Sequence, residues 1–252
     1  MNRSDRIYIA TISEGFAAAA AHYGLGLECD TFCTAVNLSD PAAIAAAEAV
    51  MAKAPRGVLH APFNELCPAA IDPEVVLLTR RRYEQAWRMT QRLGLHRMVV
   101  HSGYVPLVYF PQWFVEKSVA FWKEFLRDKP ENARFLLENV LEGEPDMTAS
   151  IVEQVDDPRL QLCLDIGHAN SEVSSIPVET WVRRWAGRLG HVHIHNNEGG
   201  WDLHDHLDRG TIPMRETLSL LEALAPEATW TVECLEAAPA CRWLAEQGWI
   251  GE

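Results

Sequence analysis

Eight short runs rich in Val, Ile and Leu punctuate the chain, at residues 6–12, 25–29, 57–61, 97–101, 134–139, 160–165, 190–195 and 230–234. Strands this short and this continuously apolar are covered on both faces, which is the condition of a parallel sheet beneath helices. The intervening stretches are amphipathic or alanine-rich, as in "DPAAIAAAEAVMAKAP" and "PEVVLLTRRRYEQAWRMTQRLG". Several open with Asp-Pro or Pro and close at Gly or Pro, which is ordinary helix punctuation. No linker or low-complexity tract interrupts the series. Eight strand–helix units in one chain predict an α/β fold, a (β/α)8 TIM barrel forming a single domain over residues 1–252. A doubly wound sheet would call for a glycine-rich phosphate turn, and none is present.

Composition agrees with a large core. Hydrophobic residues make up 48% of the 252, far from a disordered chain. No apolar run approaches the ~20 residues of a membrane span. The opening "MNRSDRIYIATI" leads straight into the first run with no signal-like apolar region, so a cytoplasmic location is expected. The six cysteines form no CxxC pair, and several lie in apolar stretches such as "LQLCLDIGH", which points to reduced, buried thiols rather than a zinc framework.

In a barrel of this kind the site lies at the C-terminal ends of the strands. Unusual polar residues fall there. The third run ends in His60, the fourth in His101 and the fifth in Glu138. The sixth ends in Asp165 with His168 close behind, the seventh carries His193 with Asp202 and His204 after it, and the eighth carries Glu233. Crowding so many ionisable groups into one mouth is costly unless cations or mutual hydrogen bonds compensate. Imidazole and carboxylate together suit Zn, Mn, Fe or Co, so a divalent metal is expected. The stretch "HVHIHNNEGGWDLHDH", residues 191–206, holds five of the ten histidines. His191, His193 and His195 share one strand face, but only a position near the strand's end can meet ligands from other strands.

The motifs "HAPF", "VVHSG", "LLENV", "CLDIGHAN", "HIHNNEG", "DLHDHLDRGTI" and "VECLE", in this order and spacing, resemble the xylose isomerase-like TIM barrel superfamily. That superfamily holds sugar-phosphate isomerases and epimerases, hydroxypyruvate isomerase, inosose dehydratase and the class II apurinic endonucleases. The resemblance to the epimerase branch implies one metal ion (Mn, Zn, Co or Mg) on Glu138, Asp165, His193 and Glu233. It implies Glu138 and Glu233 as the catalytic pair, exchanging a proton beside a carbonyl through an enediolate, with His168 on a substrate oxygen. It leaves His191 and His195 in supporting roles and His206 without one, and it implies homo-oligomers as common assemblies. The endonuclease branch implies up to three zinc ions, adding His60, His101, His168, Asp202 and His204 as ligands. "DLHDHLDRGTI" departs from the usual form, because Asp208 and Arg209 stand where a Gly and a Glu are usual.

Charge separates the branches. The net charge is −13, and the loops "APFNELCPAAIDP", "SGYVPLVYFPQW", "NVLEGEPD" and "ANSEVSSIP" hold no Lys or Arg. Only Arg209 lies in "NNEGGWDLHDHLDRGTI". A surface that tracks DNA phosphates needs basic groups on that face, so nucleic acid is not the expected partner. Phe63, Tyr104, Trp113 and Trp201 in the same loops suit the apolar faces of a sugar, and with Arg209 they are the candidate substrate contacts. The expectation is a metal-dependent isomerase or epimerase of a small, unphosphorylated sugar, keto-sugar or polyol. The alternative is a multinuclear zinc phosphodiester hydrolase.

Overall fold

The computed structural model describes residues 3–251. Each apolar run contains a strand: β1 (Ile7–Ala10), β2 (Gly26–Cys29), β3 (Gly57–His60), β4 (Arg97–His101), β5 (Arg134–Glu138), β6 (Leu160–Asp165), β7 (Leu189–Ile194) and β8 (Thr229–Val232). All pair in parallel in chain order, and β1 closes against β8, so the sheet is a complete barrel. Around it lie α1 (Phe16–Tyr23), α2 (Pro41–Met51), α3 (Pro73–Arg92), α4 (Pro111–Phe125) and α5 (Asp146–Val155). A single turn, α6 (Ile166–Ala169), follows β6 directly, and α7 (Val178–Trp185), α8 (Met214–Leu224) and α9 (Ala237–Glu246) complete the ring. Among the described residues no helix is long and apolar enough to cross a membrane.

Helix starts follow the sequence punctuation. Asp40 and Asp72 cap α2 and α3, each accepting from a backbone N–H at 2.9 Å, with Pro41 and Pro73 in the first turn. β4 and β6 coincide with their apolar runs, and most of the other strands are shorter than theirs. Ile12, Asn139, His195 and Cys234 lie beyond the ladders, and β7 and β8 each start one residue early, at Leu189 and Thr229. The rim still continues some pairing, since the Glu233 N–H donates to the Ile194 carbonyl at 3.1 Å. The helix-facing core takes the bulk, with Trp122, Trp181, Trp185 and Tyr83 fully buried. All six cysteines are free thiols, and all but half-buried Cys33 are buried.

Registered parallel strands send paired residues to the same face. Tyr8, Val58, Val99, Leu136 and Cys163 form a small cluster of their own inside the barrel. The pairings Glu28↔Val58, Cys163↔His191 and Tyr8↔Thr231 bring Glu28, His191 and Thr231 into the same layer. Two residues further along each strand come His60, His101, Glu138, Asp165 and His193, which is how the barrel gathers its ionisable groups at one end.

Candidate active site

Three carboxylates, on β5, on β6 and just past β8, converge on one imidazole nitrogen of β7. His193 Nδ1 lies 3.0 Å from Glu138 Oε1, 3.4 Å from Glu233 Oε1 and 3.6 Å from Asp165 Oδ2. His193 and Asp165 are fully buried, and Glu138 and Glu233 nearly so. On one side, His60 and His101 approach the second oxygen of Glu138, at 3.3 and 3.2 Å. On the other, Asp202 Oδ2 lies 3.3 Å from His168 Nε2 and 2.9 Å from His204 Nε2. The nine residues singled out from the sequence at and just after the strand ends thus form one continuous cluster.

Three of the imidazoles are oriented by their outer nitrogens. His60 Nδ1 faces the Ala61 carbonyl at 3.0 Å, His168 Nδ1 the Asn139 carbonyl at 2.8 Å, and His204 Nδ1 the Glu233 carbonyl at 2.8 Å. A carbonyl only accepts, so each Nδ1 must carry the proton, and each Nε2 turns toward the carboxylates. Main-chain carbonyls that fix a tautomer in this way are typical of histidines that ligate metal.

Electrostatics set the carboxylates apart. Burial works to raise Glu138, but the His193 and His101 imidazoles override it and hold the carboxyl well below its usual range. Burial likewise opposes ionisation of Asp165, and His168 and His195 override it. Glu233 goes the other way: burial, only partly offset by His193 and reinforced by Glu28 and Asp165, lifts it to about 8. Burial pushes His168 and His204 down, yet neighbouring carboxylates bring them to about 10 and about 9, Asp165 counting most for the first and Asp202 for the second.

The donor chemistry of this cluster fits a divalent cation. It consists of imidazoles and carboxylates, and neither His195 Nδ1 nor Asp202 Oδ1, both buried and 3.6 Å apart, has a hydrogen-bond partner. Glu138, Asp165, His193 and Glu233 could hold one ion, and the flanking residues supply donors for more.

The remaining candidates occupy the rim. Phe63 stacks on His101 with ring centroids 4.1 Å apart, and with Tyr104 it lines a cleft of about 450 Å³ that opens from His101. Trp113 instead packs against the loop after β3, donating to the Ala69 carbonyl at 3.3 Å, with the Lys117 ammonium over its ring. Trp201 and Arg209 are exposed on the loop after β7. His206 pairs with Glu236 at 3.3 Å. His195 reaches the cluster itself, its Nε2 lying 3.1 Å from both oxygens of Asp165.

Sequence reasoning does not single out Glu28, which is fully buried one layer below the mouth and 3.2 Å from His193 Nε2. Its signal was available: a lone carboxylate inside the apolar run "LGLEC" must find partners in the interior.

Comparison with known proteins agrees with this architecture. The chain is similar to a D-tagatose 3-epimerase-like protein of known structure (TM-score 0.80, 22% identity, 96% of each chain covered). It is similar also to the TTHB071 protein of Thermus thermophilus, in crystals soaked with zinc chloride (TM-score 0.76, 24% identity, 96% of this chain and 97% of that one). A third likeness is to the D-psicose 3-epimerase of Clostridium cellulolyticum with D-tagatose (TM-score 0.70, 20% identity, 90% and 83% covered). At these identities the likeness establishes the fold. In sequence, the chain is 27% identical over 185 residues to an uncharacterized protein of Methanocaldococcus jannaschii, a match spanning 70% of this chain and 63% of that protein's length. The sequence pattern of the xylose isomerase-like TIM barrel matches residues 12–251, nearly the whole chain, and the protein belongs to that family.

Proposed function

We propose that this protein is a divalent-metal-dependent isomerase or epimerase of a small sugar, keto-sugar or polyol. The observation that carries the reading is the pair Glu138 and Glu233, which reach the same imidazole nitrogen from β5 and from the end of β8. Glu138, Asp165, His193 and Glu233 are the residues that would hold the ion. When bound, such an ion polarises a carbonyl and its neighbouring hydroxyl. One carboxylate takes the proton from the carbon beside that carbonyl, and the other delivers a proton to the opposite face. His168 Nε2, turned inward by the Asn139 carbonyl and facing Asp202 at 3.3 Å, is the nitrogen that would exchange that partner for a substrate oxygen.

Substrate class follows from the rim. The cleft beside His101 is lined by Phe63, Leu66, Tyr104, Val105 and Tyr109, with no Lys or Arg among its walls. Rings and aliphatic groups cover the apolar face of a sugar, whereas a phosphate would call for cationic partners. The epimerase names carried by two of the structural relatives support the same reading.

A second reading, a multinuclear zinc phosphodiester hydrolase, is favoured by one observation: Asp202 and His204 join the cluster and add donors beyond a single ion's needs. Metal analysis of protein purified without chelator separates the two. About one Mn, Co or Mg per chain, with solvent deuterium entering a keto-sugar, supports isomerisation. About three Zn per chain, with cleavage of abasic DNA and no exchange, overturns it.

A further inference from the structure

At His60, His168 and His204 a main-chain carbonyl fixes the ring, but at His193 no carbonyl does so. The outer nitrogen, Nε2, faces Glu28 Oε1 at 3.2 Å. We propose that Glu28 is a positioning residue, a buried carboxylate that holds His193 with its proton on Nε2 and its Nδ1 presented to Glu138, Asp165 and Glu233. The inference rests on the functional reading above and adds to it the residue that orients its central imidazole.

The hydrogen-bond directions beneath Glu28 support this. Arg97 can only donate, and it donates to Thr229 Oγ1 at 2.7 Å. Thr229's own proton has two acceptors in reach, the Gly190 carbonyl at 3.4 Å and His191 Nδ1 at 2.5 Å, and the much shorter contact directs it to His191. His191 is thereby the tautomer with its proton on Nε2, which points at Glu28 Oε2 at 3.1 Å and Thr231 Oγ1 at 2.8 Å. Thr231 donates to the same Glu28 oxygen. One oxygen of Glu28 is therefore occupied by donors from β7 and β8, and the other is left for His193 alone. Glu28, His191 and His193 are all fully buried, so bulk solvent does not compete for these bonds. A neutral residue at position 28 would leave the imidazole free to turn or to carry its proton on the other nitrogen.

The test uses the full-length protein and two readouts. Cobalt(II) binding is followed through its visible absorption, and the His193 Nε2 proton is followed by NMR of histidine-labelled, metal-free protein. In wild type that proton should be exchange-protected and shifted downfield by its carboxylate partner. In Glu28→Gln it should move upfield or vanish, and cobalt affinity should fall by about 10–100-fold, as for other carboxylates behind a ligating histidine. Thermal melting reports folding separately, and a merely structural role would move the melt without moving the His193 resonance. If Glu28→Gln does not fold, Glu28→Asp keeps the buried charge, shortens its reach by one methylene, and carries the same readouts. An unchanged His193 resonance in a folded variant overturns the proposal. If wild type binds no cobalt, the functional reading falls, while the NMR comparison still decides the role of Glu28.

Discussion

Replacing Gly167 by alanine should disable the site through a single methyl group. Gly167 lies in α6, and a Cβ built on it falls 1.9 Å from Cε1 of His195. Ordinary contact begins at 3.4 Å, so the ring or the turn must give way by about 1.5 Å. The ring has little room: it is fully buried, its Nε2 touches both Asp165 oxygens, and it stacks on His204 with centroids 4.1 Å apart. The turn is held as well, because Asn197 Nδ2 donates to the Gly167 carbonyl at 2.9 Å. Overpacking of this kind costs about 1–3 kcal/mol. At about 2–4 °C per kcal/mol for a chain of this size, Tm should drop by about 2–12 °C. A misplacement of ~1 Å beside the proposed catalytic pair costs about 100-fold in rate, so the kcat of the proposed reaction should fall by about two orders of magnitude with the barrel still folded. Circular dichroism melts and solvent-exchange kinetics measure both effects. A variant that melts within about 1 °C of wild type and keeps its activity would show that the turn accommodates a side chain at 167 without displacing His195.

Three other outcomes are expected. Glu138→Gln and Glu233→Gln should each lower deuterium exchange into substrate by about 10²–10⁴-fold with the far-ultraviolet spectrum unchanged; retained exchange in either would remove that residue from the proton-transfer pair. Asp72→Ala removes the acceptor for the Glu74 N–H at the start of α3, and the loss of a cap should cost about 1 kcal/mol, read as a lower urea midpoint at unchanged slope. Burial depresses His191 from 6.5 to about 4 against the pull of Glu28, so the unfolded chain binds more protons between those values. The stability due to neutral His191 is therefore complete above its ordinary value and is lost as pH falls toward 4; a shift of that size is on the order of 3 kcal/mol. Urea titrations across this window should show a steeper pH dependence for wild type than for His191→Gln.

The strand-end residues were legible because two simple rules act together. Strand direction is common to all eight runs, and a parallel barrel gathers the last inward residue of each strand at one mouth. His60, His101, Glu138, Asp165, His193 and Glu233 could be read this way from their places alone. The rule weakens one layer down. Glu28 sits inside its run rather than at its end, and only the register Glu28↔Val58 turns it toward the axis. Strand periodicity put His195 on the face of His193, and it does point there although it lies past the end of β7; what the pattern could not supply is its partner, Asp165 on β6.

The chain's local pattern therefore determined the barrel, the direction of its mouth and the chemical character of the groups there. These depend on apolar periodicity, helix caps and the ends of strands, all of which are encoded within a few residues. Tertiary structure alone decided which nitrogen of each histidine faces the carboxylates and which carboxylate stands behind His193. It also decided why residue 167 has no room for a side chain. Those outcomes depend on contacts between residues as far apart as Glu28 and His193, and on distances of a few ångströms that no local pattern records.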